Sequence, residues 1–148
     1  MLWIEAVRTL SADLEDPFEL EFVWRNLHEL NKLSWLNLMR EKITDQELKL
    51  LTEVSKRLHQ NEPPQYIVGW AEFRDLKLKV DERVLIPRPE TEVLVSEAMA
   101  ELHLPRVADH VQLGEEGEEV ISAQLPSVKV IDLCTGTGCI ACSIASEY

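Results

Sequence analysis

The sequence predicts an α/β protein in which a helical bundle and a β-hairpin precede the beginning of an α/β domain. Apolar residues recur at helical spacing up to residue 62, and they alternate with polar residues after Pro63 and Pro64. The apolar run 128–131 then leads into a turn that contains two glycines. The predicted domains are a helical bundle over 1–62, a hairpin linker over 63–89 and an incomplete α/β domain over 90–148.

The bundle is predicted from amphipathic segments that carry helix start signals. The apolar face of the first segment consists of Trp3, Val7, Leu10 and Leu14. Two later segments begin with a capping signal, in which glutamate follows three residues after an N-cap side chain: Asp16 with Glu19, and Thr44 with Glu47. A short helix is expected between them, over 34–40. Short connections between such helices favour a small bundle.

The chain beyond the bundle is predicted to contain a hairpin, a helix and a long loop. Because proline cannot continue a helix, Pro63 and Pro64 are expected to end the bundle. The alternating segment predicts two strands with a turn at Arg74–Asp75. A helix is expected over 90–102. The segment 103–127, which contains an acidic cluster, is expected to be a solvated loop.

Composition argues against nucleic acid and membrane partners. The chain carries 27 acidic and 15 basic residues, for a formal net charge of -12. Affinity for phosphate backbones comes mainly from lysine and arginine, so no direct nucleic-acid partner is expected. No apolar run approaches the roughly 20 residues that a membrane span needs, and no basic and apolar leader is present. The sequence therefore predicts a cytoplasmic monomer.

Residues 130–141 predict a cofactor pocket. Val128 to Ile131 read as a buried strand, and Gly136 and Gly138 allow positive φ and close approach of a ligand to the backbone. The helix that follows would present unpaired N–H groups at its first turn, which suits an anionic or polar ligand group. The spacing Gly136-x-Gly138-x-x-Ala141 also fits the dinucleotide fingerprint, so a nicotinamide or flavin oxidoreductase is an alternative. Against it, that fingerprint usually opens its domain.

Three cysteines allow a further alternative. Cys134, Cys139 and Cys142 have the C-x₄-C-x₂-C spacing of plant-type iron–sulfur ligation, although a fourth thiolate is missing. Cys139 and Cys142 also form a C-x-x-C pair, which can be redox-active. Small apolar residues are expected on this helix, where cysteine behaves as a small hydrophobe, so buried structural thiols are favoured. No metal site is predicted.

Three sequence runs, in this order, carry a family resemblance. They are Pro-Gln-Tyr-Ile-Val-Gly at 64–69, Val-Leu-Ile-Pro-Arg-Pro-Glu-Thr-Glu at 84–92 and Asp-Leu-Cys-Thr-Gly-Thr-Gly at 132–138. Together they resemble the release factor glutamine methyltransferases of the HemK/PrmC type, over essentially the whole chain. The second run is highly specific, whereas the glycine turn alone is not. The resemblance implies a substrate-docking bundle, a hairpin linker and the start of a Rossmann-like class I methyltransferase domain.

The resemblance also implies an activity and a cofactor. The cofactor would be S-adenosylmethionine, and the reaction would be methylation of the glutamine side-chain amide in the Gly-Gly-Gln loop of peptide chain release factors. The implied cofactor-binding residues are Asp132, Cys134, Thr135, Gly136, Thr137 and Gly138, together with Arg88, Glu90 and Thr91. The last three could instead merely begin a helix, since early acidic residues suit its dipole.

Two departures from the family pattern affect these expectations. Cys134 stands where the family usually has glycine, and its Cβ narrows the allowed φ range. The substrate motif Asn-Pro-Pro-Tyr does not occur in this chain, so no catalytic residue is assigned. The chain is expected to be part of a longer enzyme and inactive as given. The alternative is a module that docks release factors without catalysis.

Overall fold

The structure is a computed structural model that describes residues 1–101 and 129–147. Over these residues it contains seven helices and one two-stranded sheet, which confirms the predicted α/β class. The elements are α1 (Trp3–Ser11), α2 (Phe18–Leu27), α3 (Lys32–Leu38), α4 (Asp45–His59), α5 (Pro64–Val68), β1 (Trp70–Phe73), β2 (Leu76–Lys79), α6 (Pro89–Glu101) and α7 (Cys139–Glu147). The predicted loop over 103–127 lies outside the described residues. None of the described helices combines the length and the apolarity that a membrane crossing requires.

The chain divides into two compact units. The first consists of Met1–Trp70 and Val80–Glu82, and the second of Ala71–Lys79 and Arg83–Tyr148. Each unit has its own cluster of buried apolar side chains. The domain boundaries expected after residues 62 and 89 stay predictions.

The core of the first unit is built around three tryptophans. The ring centroid of Trp3 lies 5.1 Å from that of Trp24 and 6.4 Å from that of Trp35. Leu20 and Leu51 are completely buried beside them in the same cluster. Full burial of such a side chain contributes about 1.5–3 kcal/mol, so this cluster is the main source of the unit's stability.

The predicted start of α4 is confirmed in detail. The Glu47 N–H donates to Thr44 Oγ1 at 3.2 Å, and the Thr44 N–H donates to Glu47 Oε2 at 2.8 Å. This is the reciprocal arrangement of a capping box. The hydrogen bonds from the Thr44 side chain and backbone lower the pKa of the Glu47 carboxyl. The starting turn of α4 therefore favours the charged form of Glu47.

The starts of helices α2 and α3 differ in detail from the prediction. Helix α2 begins at Phe18 with Pro17 as its N-cap, so the capping pair predicted for Asp16 and Glu19 is wrong, although Asp16 Oδ1 still accepts a hydrogen bond from the Phe18 N–H at 2.9 Å. The short helix expected over 34–40 begins two residues earlier, because Asn31 Oδ1 accepts from the Ser34 N–H at 2.8 Å and acts as its N-cap.

The prediction that a hairpin directly follows the two prolines is wrong for Pro64–Val68, because these residues form the short helix α5. Pro64 occupies the first position of the short helix α5, where a missing N–H leaves no intrahelical acceptor unsatisfied. Gly69 ends this helix with a φ of 81°, and its N–H donates to Gln65 O at 2.8 Å. The prolines therefore separate two helices of the first unit.

The second unit contains the hairpin, except for its first residue Trp70, and the two helices α6 and α7. The strands β1 and β2 flank a turn at Arg74 and Asp75, which confirms the predicted hairpin. Phe73, Val95, Cys139 and Ile144 form the buried cluster, which joins β1, α6 and α7. Helix α6 begins at Pro89, one residue before the predicted start.

The buried strand predicted over 128–131 is not formed where the structure describes it, from residue 129 onward. Residues 129–132 have no regular secondary structure, and Ile131 is 82% exposed. A strand needs a neighbour to accept and donate its ladder hydrogen bonds. The described sheet contains only β1 and β2, so no strand pairs with this segment.

Candidate cofactor site

The turn over 132–138 lies between the exposed segment and α7, and it contains two hydrogen bonds of ordinary length. The Thr135 hydroxyl donates to Asp132 Oδ2 at 2.9 Å. The Gly138 N–H donates to Thr135 O at 2.8 Å. Thr135 therefore ties both ends of the turn, and Thr137 lies between the two glycines, half-buried. The structure thus brings together the six residues from this run that the resemblance implies.

Three residues of the turn have left-handed backbone conformations. The φ angles are 61° at Cys134, 54° at Gly136 and 76° at Gly138. Glycine adopts such angles without steric cost, as the sequence predicted for the two glycines. A residue with a Cβ adopts them at a cost of about 1–2 kcal/mol. Cys134 is therefore a strained position within the turn.

The space around Gly136 suits a ligand that approaches the backbone closely. A Cβ added to Gly136 would find Cys134 O at 4.0 Å as its nearest neighbour, so this side of the turn is open. A Cβ on Gly138 would instead meet Cys142 Sγ at 3.6 Å and Thr135 Oγ1 at 3.9 Å, an ordinary packing contact. A ligand could therefore approach the backbone of Gly136 from this open side.

Helix α7 adds backbone hydrogen-bond donors directly after this turn. Its first intrahelical hydrogen bond runs from the Cys142 N–H to Gly138 O at 2.8 Å. The N–H groups of 139–141 have no acceptor within the helix, and they lie at its positive end. Polar or negatively charged ligand groups are favoured at such a terminus.

Arg88, Glu90 and Thr91 lie at the start of α6, in the same unit as the turn. Arg88 and Glu90 are exposed, and the Thr91 N–H donates to Arg88 O at 3.0 Å. Among the hydrogen bonds of the described residues, none joins this group to the turn. The two groups are connected through their helices, because Val95 of α6 packs in one cluster with Cys139 and Ile144 of α7.

The three cysteines do not form a metal centre in the part of the chain that the structure describes. Cys139 is buried, as predicted for this helix, whereas Cys142 is exposed, so the prediction of a buried thiol is wrong there. Cys134 is also exposed, and all three cysteines are free thiols. The described His, Cys, Asp and Glu residues include no group of three or more that could hold a metal ion. The iron–sulfur alternative gains no support from this arrangement.

One residue of the same unit was named from the sequence only as part of the hairpin turn. Arg74, in the hairpin turn, contacts both α6 and α7 through its guanidinium group. Its partner Glu147 is 73 residues away in sequence, so no local spacing could signal the pair. A positive charge in a two-residue turn was the only available hint.

Comparisons with known proteins agree with the sequence resemblance. Residues 2–69 match the family described as the PrmC N-terminal domain. The chain is 73% identical over 145 residues to a release factor glutamine methyltransferase of Lactococcus lactis subsp. lactis (strain IL1403), a match that covers 98% of this chain and 46% of the relative. It is 35% identical over 135 residues to the protein of that name from Streptococcus pneumoniae (strain ATCC BAA-255 / R6), covering 90% and 40%.

A third relative gives a similar match. The release factor glutamine methyltransferase of Aliivibrio fischeri (strain ATCC 700601 / ES114) is 35% identical over 144 residues, which cover 96% of this chain and 43% of the relative. The chain thus spans about half the length of the curated relatives it matches. The chain belongs to the release factor glutamine methyltransferase family of the PrmC type, and residues 2–69 correspond to that family's N-terminal domain.

Proposed function

We propose that this chain supplies two parts of an S-adenosylmethionine-dependent protein-glutamine N-methyltransferase: the docking domain and the turn over 132–138, which we call the cofactor turn. The substrate would be the glutamine side-chain amide in the Gly-Gly-Gln loop of peptide chain release factors. Its relatives carry the name release factor glutamine methyltransferase, which supports the activity and the partner. The single observation on which the cofactor assignment rests is the open, left-handed backbone at Gly136.

The domain roles follow the same proposal. Residues 1–62 would dock the release factor, and residues 90–148 would begin the methyltransferase domain. Residues 63–89 would link these two domains. A cytoplasmic monomer without nucleic-acid partner fits the acidic composition. These assignments build on the match between residues 2–69 and the PrmC N-terminal domain, and they go beyond it.

In this proposal the turn and two helix starts hold the cofactor. Gly136 would let it reach the backbone, the first amides of α7 would donate to its polar groups, and Asp132 with Thr135 would hold the turn in shape. Arg88, Glu90 and Thr91 would line the other side. S-adenosylmethionine would supply an electrophilic methyl group.

The acceptor explains why the turn alone is insufficient for catalysis. An amide nitrogen is a poor nucleophile because its lone pair is delocalised into the carbonyl group. Methyl transfer to it requires in-line placement and acceptors that polarise the N–H bonds. The family's Asn-Pro-Pro-Tyr motif would supply those acceptors, and it does not occur in these 148 residues. The chain is therefore expected to bind the cofactor without turning over.

Calorimetric titration with S-adenosylmethionine tests the cofactor assignment. Gly136→Ala places a methyl group on the open side at a φ of 54°, so we expect about a tenfold weaker affinity, equivalent to about 1.4 kcal/mol. Gly69→Ala is the matched control, because Gly69 is also left-handed, with φ 81°, but lies in the first unit. Saturable binding of NAD instead of S-adenosylmethionine would support the oxidoreductase alternative and refute this proposal.

Docking without catalysis is the second candidate function. It is favoured by the first unit, which has its own buried core and matches the PrmC N-terminal domain. Pull-down of a purified release factor by this chain, with and without S-adenosylmethionine, separates the two functions. Cofactor-independent capture together with no cofactor binding would leave docking as the function of this chain.

A further inference from the structure

The hairpin turn is tied to two helices by a single guanidinium group. Arg74 Nε donates to Glu147 Oε1 at 2.5 Å and Nη2 donates to Glu147 Oε2 at 2.7 Å. Nη1 donates to Glu92 O at 3.0 Å and to Ser96 Oγ at 2.7 Å. The Arg74 backbone N–H also donates to Glu92 Oε1 at 3.1 Å. One residue of the hairpin thus holds both α6 and α7.

The geometry of these contacts favours a rigid connection. The guanidinium and carboxylate groups form a bidentate pair, which fixes the orientation of both groups as well as their distance. The Arg74 side chain is 22% exposed and that of Glu147 30% exposed, so the pair is partly shielded from water. Arg74 also has a φ of 52°, an angle that costs a non-glycine residue about 1–2 kcal/mol.

The contacts lie at the opposite end of α7 from the cofactor turn. Helix α7 begins at Cys139, directly after the turn, and Glu147 is its last residue. Apart from the bond to Arg74, α7 is held in the described part of this unit by a cluster of four buried residues, Phe73, Val95, Cys139 and Ile144, against which Leu78, Met99 and Ile140 also pack. A nine-residue helix is marginal on its own, so its tertiary contacts decide whether it stays ordered.

We propose that Arg74 is a positioning residue for the cofactor turn: by clamping α7 against the start of α6, it preorganises the backbone that receives the cofactor. The inference rests on the proposed function for the identity of the ligand. The clamp itself concerns only the hairpin, α6 and α7, which belong to one compact unit.

The expected effect follows from preorganisation. If only a fraction of molecules has the competent turn, the apparent dissociation constant is the intrinsic one divided by that fraction. Loss of the clamp that leaves about one molecule in ten competent would weaken affinity about tenfold. The Arg74 charge persists at all relevant pH values, since its hydrogen bond to Glu147 raises the pKa of a guanidinium that is already strongly basic.

Two measurements on the 148-residue chain test the proposal. Hydrogen–deuterium exchange reads the order of α7 and α6 without ligand, and calorimetry reads the affinity for S-adenosylmethionine. For Arg74→Ala we expect faster exchange in α7, retained protection around Val95 in α6, and about tenfold weaker cofactor affinity. Glu147→Gln, which removes only the carboxylate partner, should reproduce the effect on α7. Arg74→Lys keeps the positive charge but loses the bidentate geometry, so its affinity should lie between those of Arg74→Ala and the unaltered chain.

The control is a second bidentate pair in the other unit. Arg57 donates to Glu62 through Nε at 2.7 Å and through Nη2, so Arg57→Ala removes an equivalent interaction away from the turn. It should leave cofactor affinity unchanged. Equal loss of protection in α6 and α7 of Arg74→Ala would overturn the proposal, because Arg74 would then merely stabilise the unit. Unchanged α7 exchange would overturn it as well.

The exchange and calorimetry measurements also test this inference separately from the proposed function. If the unaltered chain does not bind S-adenosylmethionine, the cofactor assignment fails, while the exchange of α7 still decides whether the clamp exists. If it binds and Arg74→Ala binds equally well, the cofactor assignment stands and the positioning role is refuted.

Discussion

At the scale of single residues, Cys134 shows how a turn can tolerate an unfavourable side chain. Its φ of 61° is one that glycine adopts freely, and its thiol is exposed. The conformations of Gly136 and Gly138 could be predicted from the sequence, because two closely spaced glycines between an apolar run and a helix favour a turn of this kind. The role of Arg74 could not, since its carboxylate partner is 73 residues away.

Replacing Cys134 with glycine should relieve this strain. We expect Cys134→Gly to stabilise the turn and α7 by about 0.5–1 kcal/mol, the steric gain less the larger entropy of glycine in the unfolded chain. Native-state hydrogen exchange of the α7 amides measures the change. Cys134→Ala is the control, because it removes the thiol and keeps the Cβ. An equal gain in both variants would mean that the thiol, and not the backbone, is the unfavourable feature.

At the scale of helices and strands, local signals predicted more than long-range ones. The start of α4 was predicted because a capping box uses residues three positions apart. Helix α5 was missed because Pro64 is compatible both with the end of one helix and with the first position of the next. The strand over 128–131 was predicted from its apolar residues, but a strand also needs a neighbouring strand, which no local pattern guarantees.

The capping box makes a testable contribution to the first unit. Thr44→Ala should destabilise it by about 1 kcal/mol, because the Glu47 N–H loses its acceptor. Thr52→Ala in the same helix is the control: the Thr52 hydroxyl only donates back to Leu48 O, and alanine is the better helix former. Urea unfolding measures both. Equal destabilisation by the two changes would contradict a specific role for the cap.

The same box gives a pH dependence of known sign. The pKa of Glu47 is lowered in the folded state, mainly by its hydrogen bond from the Thr44 side chain. Its stabilisation is therefore fully present above the unfolded value of about 4.3 and is lost as pH falls through the lower folded value. The difference in stability between the unaltered chain and Thr44→Ala should shrink below about pH 4. A difference that stays constant there would exclude the carboxylate contribution.

At the scale of the whole molecule, the burial of apolar side chains varies along the residues that the structure describes. The first unit encloses a cluster with three tryptophans, whereas Leu133, within the turn over 132–138, is 81% exposed. The change in periodicity predicts a helical part followed by an α/β part, and these domain boundaries stay predictions. The extent of burial could not be predicted, because it depends on which other elements cover each face.

This difference predicts unequal stability along the chain. In the isolated 148-residue chain, amides of 129–133 should exchange with little protection, because this segment has no regular structure and exposes its apolar side chains. Amides around Leu20 and Val23 in α2, both fully buried, should exchange slowest. Exchange mass spectrometry at the peptide level suffices for this comparison. Strong protection across 129–133 would show that the segment is ordered and covered.

The tryptophan cluster also limits what optical spectroscopy can report about this chain. All four tryptophans, Trp3, Trp24, Trp35 and Trp70, belong to the first unit. Intrinsic indole emission will therefore follow unfolding of the helical unit and remain almost silent about the cofactor turn. A smooth single-step fluorescence melt would be compatible with a second unit that had already lost its structure. Placing a new indole on α7 would make the silent half of the molecule visible.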